Sequence, residues 1–159
     1  MKNKPKTIMA AVDLSRHTEA VLEYAVLIAR ALNARLIIVN VINNRDVEAM
    51  KLAARTIEGF SVRLWTETEK KGRRAVLEGI LRDSFPEAED VRIIFRLGVP
   101  FREILDALDN EGAEFLIIGP KGKTDDPEVR VGVTTEKVLR RCSVPLLVVR
   151  NASDRRKIL

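Results

Sequence analysis

Short apolar runs without polar alternation constrain the fold of this chain more than any other feature of its sequence. They occupy residues 7–12, 36–41 and 115–118, and a fourth extends from Val144 to Val149. Each run is long enough for a strand and too short for a buried helix. A strand that is apolar on both faces is typical of a parallel sheet covered by helices on both sides. The sequence therefore predicts an α/β fold.

Segments with helical spacing separate these runs. The first begins near the capping residue Ser15 and ends at Asn33, which tolerates the left-handed conformation found past helix ends. Others are predicted at residues 69–82, after Pro100 and at residues 134–141. Strand–helix–strand units of this kind join parallel strands by right-handed crossovers. The pattern predicts a doubly wound sheet.

Two stretches differ from this simple alternation. Residues 91–97 predict a fifth strand at a sheet edge, because Arg92 and Arg96 flank its apolar centre. Residues 42–67 mix helix formers with glycine and serine, and they support no clear prediction. The expected architecture is thus five strands with four helical segments.

Length and composition favour one domain inside the cell. A chain of 159 residues with 46% apolar content can bury one core, so we expect a domain over residues 1–150 and a basic tail over residues 151–159. No signal peptide is evident, and no apolar run approaches the roughly 18 residues of a membrane span. The single cysteine, Cys142, excludes an internal disulfide. We expect a cytoplasmic protein without a membrane partner.

The charge pattern argues against nucleic acid. The net charge is +5, but Lys and Arg are interleaved with Asp and Glu, and aromatic residues make up only 4% of the chain. Bases would find few rings on which to stack and no concentrated basic face. The sequence therefore predicts no nucleic-acid partner.

A glycine loop, residues 119–132, follows the run at 115–118. Two residues separate Gly119 from Gly122, and nine separate Gly122 from Gly132, which stands just before the last predicted helix. Glycines let a backbone approach a ligand, and a helix N-terminus attracts anions such as phosphate. The loop is thus a candidate phosphate cradle, although three glycines taken alone favour a surface loop that uses them for turning.

Asp13 directly follows the first predicted strand. In doubly wound sheets, ligands bind beyond the carboxyl ends of the strands, where the winding direction reverses. If the first strand is central and lies beside the fourth, Asp13, Val41 and the glycine loop meet at that place. Asp13 has an equally good explanation as an acidic residue favoured by the dipole of the helix that follows.

Three segments of the chain resemble the universal stress protein family. They read AAVDLSRHTEAVLEYAVLIARALNARLIIVNV, LGVPFREIL and IIGPKGKTDDPEVRVGVTTEKVLRRCSVPLLVV. In the nucleotide-binding branch of that family, the ATP signature is glycine, two residues, glycine, nine residues, glycine, and then Ser or Thr. Gly119, Gly122 and Gly132 match its three glycines.

The resemblance implies a single-domain flavodoxin-like (Rossmann-like) three-layer sandwich with strand order 3-2-1-4-5. It implies a homodimer joined through residues 144–149, an unknown protein partner, and ATP, with Mg²⁺ or Mn²⁺, as the ligand of a regulatory switch. Asp13 would lie near the ribose and adenine, backbone at Val41 would face the adenine, and the loop would wrap the phosphates. The implied binding residues are Ala11, Asp13, Val41, Ile118, Gly119, Gly122, Gly132, Val133 and Thr134.

The chain departs from the family signature after its third glycine. Val133 stands where the signature has Ser or Thr, so one hydrogen bond to phosphate is missing. Such a bond contributes roughly 1.5–3 kcal/mol, which corresponds to a tenfold to hundredfold or greater weakening of affinity. Thr134 and Thr135 remain candidate sources of that oxygen. A dimeric interaction module of the same fold that binds no nucleotide is the alternative.

Catalysis finds little support in the sequence. The Walker pattern is absent and no nucleophile–base pair stands at a recognisable spacing, so we expect no catalytic residues and at most weak ATPase activity. His17, the only histidine, is expected to be solvated, and Cys142 is expected to act as a small apolar residue. No metal-binding cluster is predicted.

Charged residues within the glycine loop allow two interpretations. Lys121 and Lys123 could face phosphates, whereas Asp125, Asp126 and Glu128 would oppose an anion placed near them. These acids are equally suited to solvent or to the divalent ion of a nucleotide.

Overall fold

The computed structural model describes residues 4–123, 128 and 130–150. The strands and helices alternate along most of the chain. In chain order they are β1 (Thr7–Ala11), α1 (Thr18–Leu32), β2 (Arg35–Asn43), α2 (Asn44–Ala54), α3 (Val62–Ser84), β3 (Val91–Gly98), α4 (Pro100–Asn110), β4 (Phe115–Ile118), α5 (Val133–Arg141) and β5 (Leu146–Val148).

The five strands form one parallel sheet in the order β3-β2-β1-β4-β5. This order confirms the predicted architecture and places β1 at the centre, beside β4. All five residues of β1 are buried, as expected of a strand that lacks polar alternation. The reversal of winding direction therefore falls between the carboxyl ends of β1 and β4.

Two apolar layers cover the sheet. Successive side chains of a strand point to opposite faces, so Ile8 and Ala10 pack with α1 and with Leu77 of α3. Met9 and Ala11 pack on the other face, with buried residues of α4 and α5. The molecule is thus a three-layer sandwich with a core on each side of the sheet.

Sequence signals at helix ends agree with the structure at three places. Asn33 follows α1 in the left-handed conformation (φ 53°, ψ 48°). Pro100 opens α4, where its missing N–H costs nothing, and Gly112 just beyond that helix has φ +62°. The prediction for Ser15 is wrong by two residues, because His17 is the residue that precedes the first turn of α1.

The stretch without a clear prediction contains a helix and the start of another. Asn43 accepts a hydrogen bond from the Arg45 backbone N–H (3.0 Å) and caps α2. Ser61 accepts one from the Leu64 N–H (3.2 Å) and caps α3, which begins at Val62 rather than near residue 69. The described residues therefore form five helices, one more than expected.

Two strands differ in length from the sequence-based boundaries. β2 continues to Asn43 because all of β3 pairs with it. The paired residues run from Leu36 beside Val91 to Asn43 beside Gly98. β5 is confined to Leu146–Val148, where it pairs with β4. The carboxyl end of β2 therefore extends past that of β1.

No helix in the described part of the chain is long and apolar enough to cross a membrane.

Candidate functional site

The carboxyl ends of β1 and β4 lie side by side. Ala11, the last residue of β1, is paired with Val39 on one side and with Ile118 on the other. The Val12 N–H donates to the Val39 carbonyl oxygen (3.1 Å) and extends the ladder by one residue. These hydrogen bonds fix the position of the backbone just before Asp13.

Asp13 turns back on its own segment and meets the glycine loop. Its Oδ1 accepts a hydrogen bond from the Ser15 N–H (3.0 Å), and Leu14 between them has φ +62°. Its Oδ2 lies 2.8 Å from the position that a Cβ on Gly122 would take. Asp13, two residues beyond β1, and the loop that follows β4 thus lie side by side, as the sequence predicted.

Close packing, rather than positive φ, is what the loop requires of its glycines. A Cβ on Gly132 would lie 3.0 Å from the Lys121 Cα, and one on Gly119 would lie 3.2 Å from the His17 Cβ. None of these three glycines has φ in the left-handed region. A side chain at any of the three positions would force a neighbour to move: backbone at Gly132, the buried His17 at Gly119 and the Asp13 carboxylate at Gly122.

The two ends of the loop are joined by hydrogen bonds. The Gly132 N–H donates to the Pro120 carbonyl oxygen (2.8 Å), and the buried Thr135 hydroxyl donates to the Gly119 carbonyl oxygen (2.8 Å). The Gly132 N–H is therefore engaged within the loop. The first-turn N–H groups of Val133 and Thr134 lack acceptors inside α5.

Val133 and Thr134 differ in their surroundings at the start of α5. The Val133 side chain is 67% exposed, and Thr134 is half-buried. Since the Thr135 hydroxyl is bound to Gly119, Thr134 is the better candidate of the two threonines for a hydroxyl contact to a ligand.

Val41 lies one strand away from the loop, past the end of β1. Its carbonyl oxygen accepts a long hydrogen bond (3.5 Å) from Nη1 of Arg73 on α3. The same Nη1 donates to Oδ1 of Asn40 (3.0 Å), and Asn40 Nδ2 donates to the Val12 carbonyl oxygen (2.8 Å). Neither Asn40 nor Arg73 was singled out from the sequence, although a polar residue inside the apolar run at 36–41 was the available signal.

His17 is buried, with 2% of its surface exposed, so the prediction that it is solvated is wrong. The helix begins one residue later, at Thr18, which places His17 in the turn beneath Gly119 instead of on the outer face of α1. The N–H of His17 donates to the Ser15 hydroxyl (3.2 Å), which helps to hold this turn. His17 therefore supports the loop from below.

The remaining candidates from the sequence are the charged residues of the loop and Cys142. Lys123 and Glu128 are exposed, while Asp125 and Asp126 lie outside the described residues. The half-buried Cys142 packs against the core below α5, as expected of a small apolar residue, and its Sγ also donates a weak hydrogen bond to the Val144 carbonyl oxygen (3.4 Å). Within the described ranges, no three His, Cys, Asp or Glu residues are grouped to hold a metal ion.

A separate hollow of about 490 Å³ lies at the opposite, amino edge of the sheet. It is lined by the end of α1 and the start of β3. Arg30 at its rim is paired with Glu87 (3.7 Å). This hollow is far from the glycine loop and shares no residue with the predicted site.

Comparison with known proteins gives the family of the chain. The model of the Universal stress protein family matches residues 4–150. The chain belongs to this family. Universal stress protein MJ0577 of Methanocaldococcus jannaschii is 24% identical over 158 residues, covering 94% of this chain and 97% of that protein.

Solved structures of the universal stress protein family have the same fold. The structure of MJ0577 matches with a TM-score of 0.77 at 23% identity, over 94% of this chain and 99% of the other. A universal stress protein in complex with cAMP matches with a TM-score of 0.61 at 20% identity, over 93% and 98%. One from Archaeoglobus fulgidus in complex with dAMP matches with a TM-score of 0.54 at 19% identity, over 94% and 100%.

The groups at this site are of the kinds that bind a nucleotide. It combines a carboxylate at the end of the central strand, a loop whose glycines exclude side chains, and a helix N-terminus that follows the loop directly. These groups accept from hydroxyls, allow close backbone approach and attract phosphate, respectively.

Proposed function

We propose that this universal stress protein binds an adenine nucleotide, ATP in the first instance, beyond the carboxyl ends of β1 and β4. The approach of Asp13 Oδ2 to within 2.8 Å of the Cβ position at Gly122 carries the proposal, because it brings the carboxylate and the loop to one place. The cAMP and dAMP complexes of structurally similar family members support an adenine ligand.

Each part of the site has a role in this proposal. The Asp13 carboxylate accepts hydrogen bonds from ribose hydroxyls, and the N–H groups of Val133 and Thr134 bind phosphate oxygens at the start of α5. Backbone at Val41 faces the base, and Ala11 and Ile118 form the apolar floor. Mg²⁺ or Mn²⁺ carried by ATP would offset part of the phosphate charge near Asp13.

We further propose that ligand binding acts as a switch in a homodimer joined along β5. In this scheme the loop and α5 both contact the ligand. Because α5 is followed along the chain by β5, a ligand-induced shift of α5 can be passed on to the proposed dimer interface. Hydrolysis is not required for this mode of action.

The direct test is calorimetry of the purified protein with ATP, AMP and cAMP, with and without Mg²⁺, together with mass spectrometry of any small molecule that it releases. Binding by wild type, and its loss in Asp13→Ala, is the expected result. A released adenine nucleotide would identify the natural ligand. Wild type that retains no nucleotide and gives neither heat nor a thermal shift at millimolar ATP would reject the proposal.

Restoring the family hydroxyl gives the first quantitative prediction. Val133→Ser should tighten ATP binding by about tenfold to a hundredfold, because a hydrogen bond to a charged phosphate contributes roughly 1.5–3 kcal/mol. Val133→Ala serves as the control, since it shortens the exposed side chain without adding a hydroxyl. Equal ATP affinities of the serine and alanine variants would show that position 133 does not reach the phosphates.

A second candidate function is a dimeric interaction module whose site no longer takes nucleotides. The 67% exposure of Val133, an apolar residue where the signature has a hydroxyl, favours it. In that case wild type binds no nucleotide, and Val133→Ser creates measurable binding. Tight ATP binding by wild type excludes the module.

A further inference from the structure

A chain of four groups connects α3 to the end of β1. Glu69 Oε2 accepts from Arg73 Nε (3.1 Å), Arg73 Nη1 donates to Asn40 Oδ1 (3.0 Å), and Asn40 Nδ2 donates to the Val12 carbonyl oxygen (2.8 Å). Val12 immediately precedes Asp13. The chain therefore runs from an ion pair on α3 to the residue next to the proposed ribose contact.

The two ends of the Asn40 amide have opposite requirements. The Val12 carbonyl needs a donor and the Arg73 guanidinium needs an acceptor, since a guanidinium has no lone pair to offer. A flipped amide would place oxygen against oxygen at Val12 and N–H against N–H at Arg73. Arg73 therefore selects the one orientation of Asn40 in which the Val12 carbonyl is held.

Burial strengthens the preference for this orientation of the Asn40 amide. Asn40 is 0% exposed and the Arg73 side chain is 12% exposed, so water cannot easily replace either partner. A buried polar group that loses its partner pays its full desolvation cost. The charge of Arg73 is in turn balanced by Glu69, which lies one helical turn away on α3.

Both polar groups of the Val12 backbone are hydrogen-bonded to residues of β2. Its N–H donates to the Val39 carbonyl oxygen (3.1 Å), and its carbonyl accepts from Asn40 (2.8 Å). The turn that follows, in which the Ser15 N–H donates to Asp13 Oδ1 (3.0 Å), starts from this anchored point. Loss of the Asn40 contact would free the carbonyl and let the Asp13 carboxylate move away from Gly122.

We propose that Arg73 is a positioning residue of the nucleotide site: through Asn40 it fixes the Val12 carbonyl and thereby places Asp13 against the nucleoside part of the ligand. This inference rests on the proposed function, which supplies the ligand. It adds a residue of α3 to a site otherwise built from the ends of β1, β2 and β4 and from the loop.

The guanidinium shape, and not its charge alone, is required. Arg73 presents Nε and Nη1 in one plane, to Glu69 and to Asn40. A lysine ammonium is a point charge on a flexible stem and cannot hold both contacts in that geometry. Arg73→Lys should therefore behave like Arg73→Met.

Calorimetry of Arg73→Met and Arg73→Lys with AMP and ATP tests the inference. Both variants should bind AMP and ATP more weakly by the same factor, about tenfold, by analogy with residues that orient the ligands of metal sites. Equal factors are expected because Asp13 acts on the nucleoside that both ligands share. By contrast, Val133→Ser should change ATP affinity more than AMP affinity.

Arg74→Met is the matched control. Arg74 is the next residue of α3, and it contacts β3 instead of Asn40: its guanidinium donates to the Ile93 carbonyl oxygen (3.4 Å) and lies over the Phe95 ring (5.1 Å). The Arg74→Met variant should bind AMP and ATP with the same affinities as wild type. Unchanged affinities in Arg73→Met, full rescue by Arg73→Lys, or an equal loss in Arg74→Met would each overturn the positioning role.

Hydrogen exchange separates this inference from the proposed function. In Arg73→Met the Ser15 amide, which donates to Asp13 Oδ1, should exchange about tenfold faster than in wild type, after correction for any change in global stability measured by urea unfolding. This readout needs no ligand. If wild type binds no nucleotide, the proposed function fails, and the Ser15 amide still decides whether Arg73 positions the Asp13 turn; unaltered exchange would refute it.

Discussion

At Gly122, one missing side chain allows the contact on which the site depends. A Cβ there would lie 2.8 Å from Asp13 Oδ2, closer than non-bonded atoms approach, so Asp13 or the loop would have to move. The spacing of the glycines was visible in the sequence, but the reason for Gly122 was not. Close approach to a ligand, or a turn of the loop, was the expected reason, whereas the structure shows a close approach of the loop to the Asp13 carboxylate.

Gly122→Ala should weaken nucleotide binding by about tenfold or more, because its methyl group displaces the Asp13 carboxylate from the loop. The factor is taken by analogy with changes that disturb the orientation of metal ligands. Gly72→Ala on α3 is the control, since nothing lies within 4 Å of its Cβ position. That change should raise the free energy of unfolding by about 0.5–1 kcal/mol, because alanine favours a helix interior over glycine. Calorimetry and urea unfolding measure the two effects, and undiminished affinity in Gly122→Ala would contradict this account of the loop.

At the scale of elements, α3 shows the clearest limit of sequence-based prediction. It has 23 residues, and Leu77 is its only buried one. Its first two turns, from Val62, include exposed Leu64 and lack the sustained apolar stripe that identifies a packed helix. The strands were predicted well because burial on both faces leaves an unbroken apolar run, whereas a helix attached at few points leaves little trace.

Leu77→Ala should lower the free energy of unfolding by about 2–5 kcal/mol, because it removes the one fully buried apolar side chain by which α3 packs on the sheet. Leu64→Ala on the same helix should change it by less than about 0.5 kcal/mol, since that side chain is exposed. Chemical denaturation of both variants gives the comparison. If both variants lost a similar free energy of unfolding, α3 would have to be packed on the rest of the protein along its whole length.

At the scale of the whole molecule, the two edges of the sheet differ. On β3, Arg92 is paired with Glu111 (2.7 Å) and Arg96 with Glu103 (3.0 Å), so charges border that edge. On β5, Leu146–Val148 carries no charged side chain and all three residues are half-buried. An apolar edge strand is prone to pair with another chain, and a second copy related by twofold symmetry would provide the partner strand.

Leu147→Lys should convert the proposed homodimer to a monomer, because it places a charge at the β5 edge. Leu97→Lys, at an exposed position of β3, is the matched control and should leave the dimer intact. Light scattering coupled to size exclusion, over a range of protein concentrations, measures both. A monomeric wild type at about 100 μM, far above the dissociation constants of stable dimers, would contradict the dimer.

The sequence by itself determined the strands, their parallel arrangement and the spacing of the glycines, because these depend on local burial patterns and on what the backbone allows at single residues. It also indicated that Asp13 and the glycine loop share an edge, since the carboxyl ends of neighbouring parallel strands must. Only the tertiary structure decided that His17 lies beneath Gly119, that Thr135 binds the Gly119 carbonyl, and that Arg73 reaches Asn40. These contacts join residues far apart in the chain, and they depend on how closely a helix packs on the sheet, which no local pattern encodes.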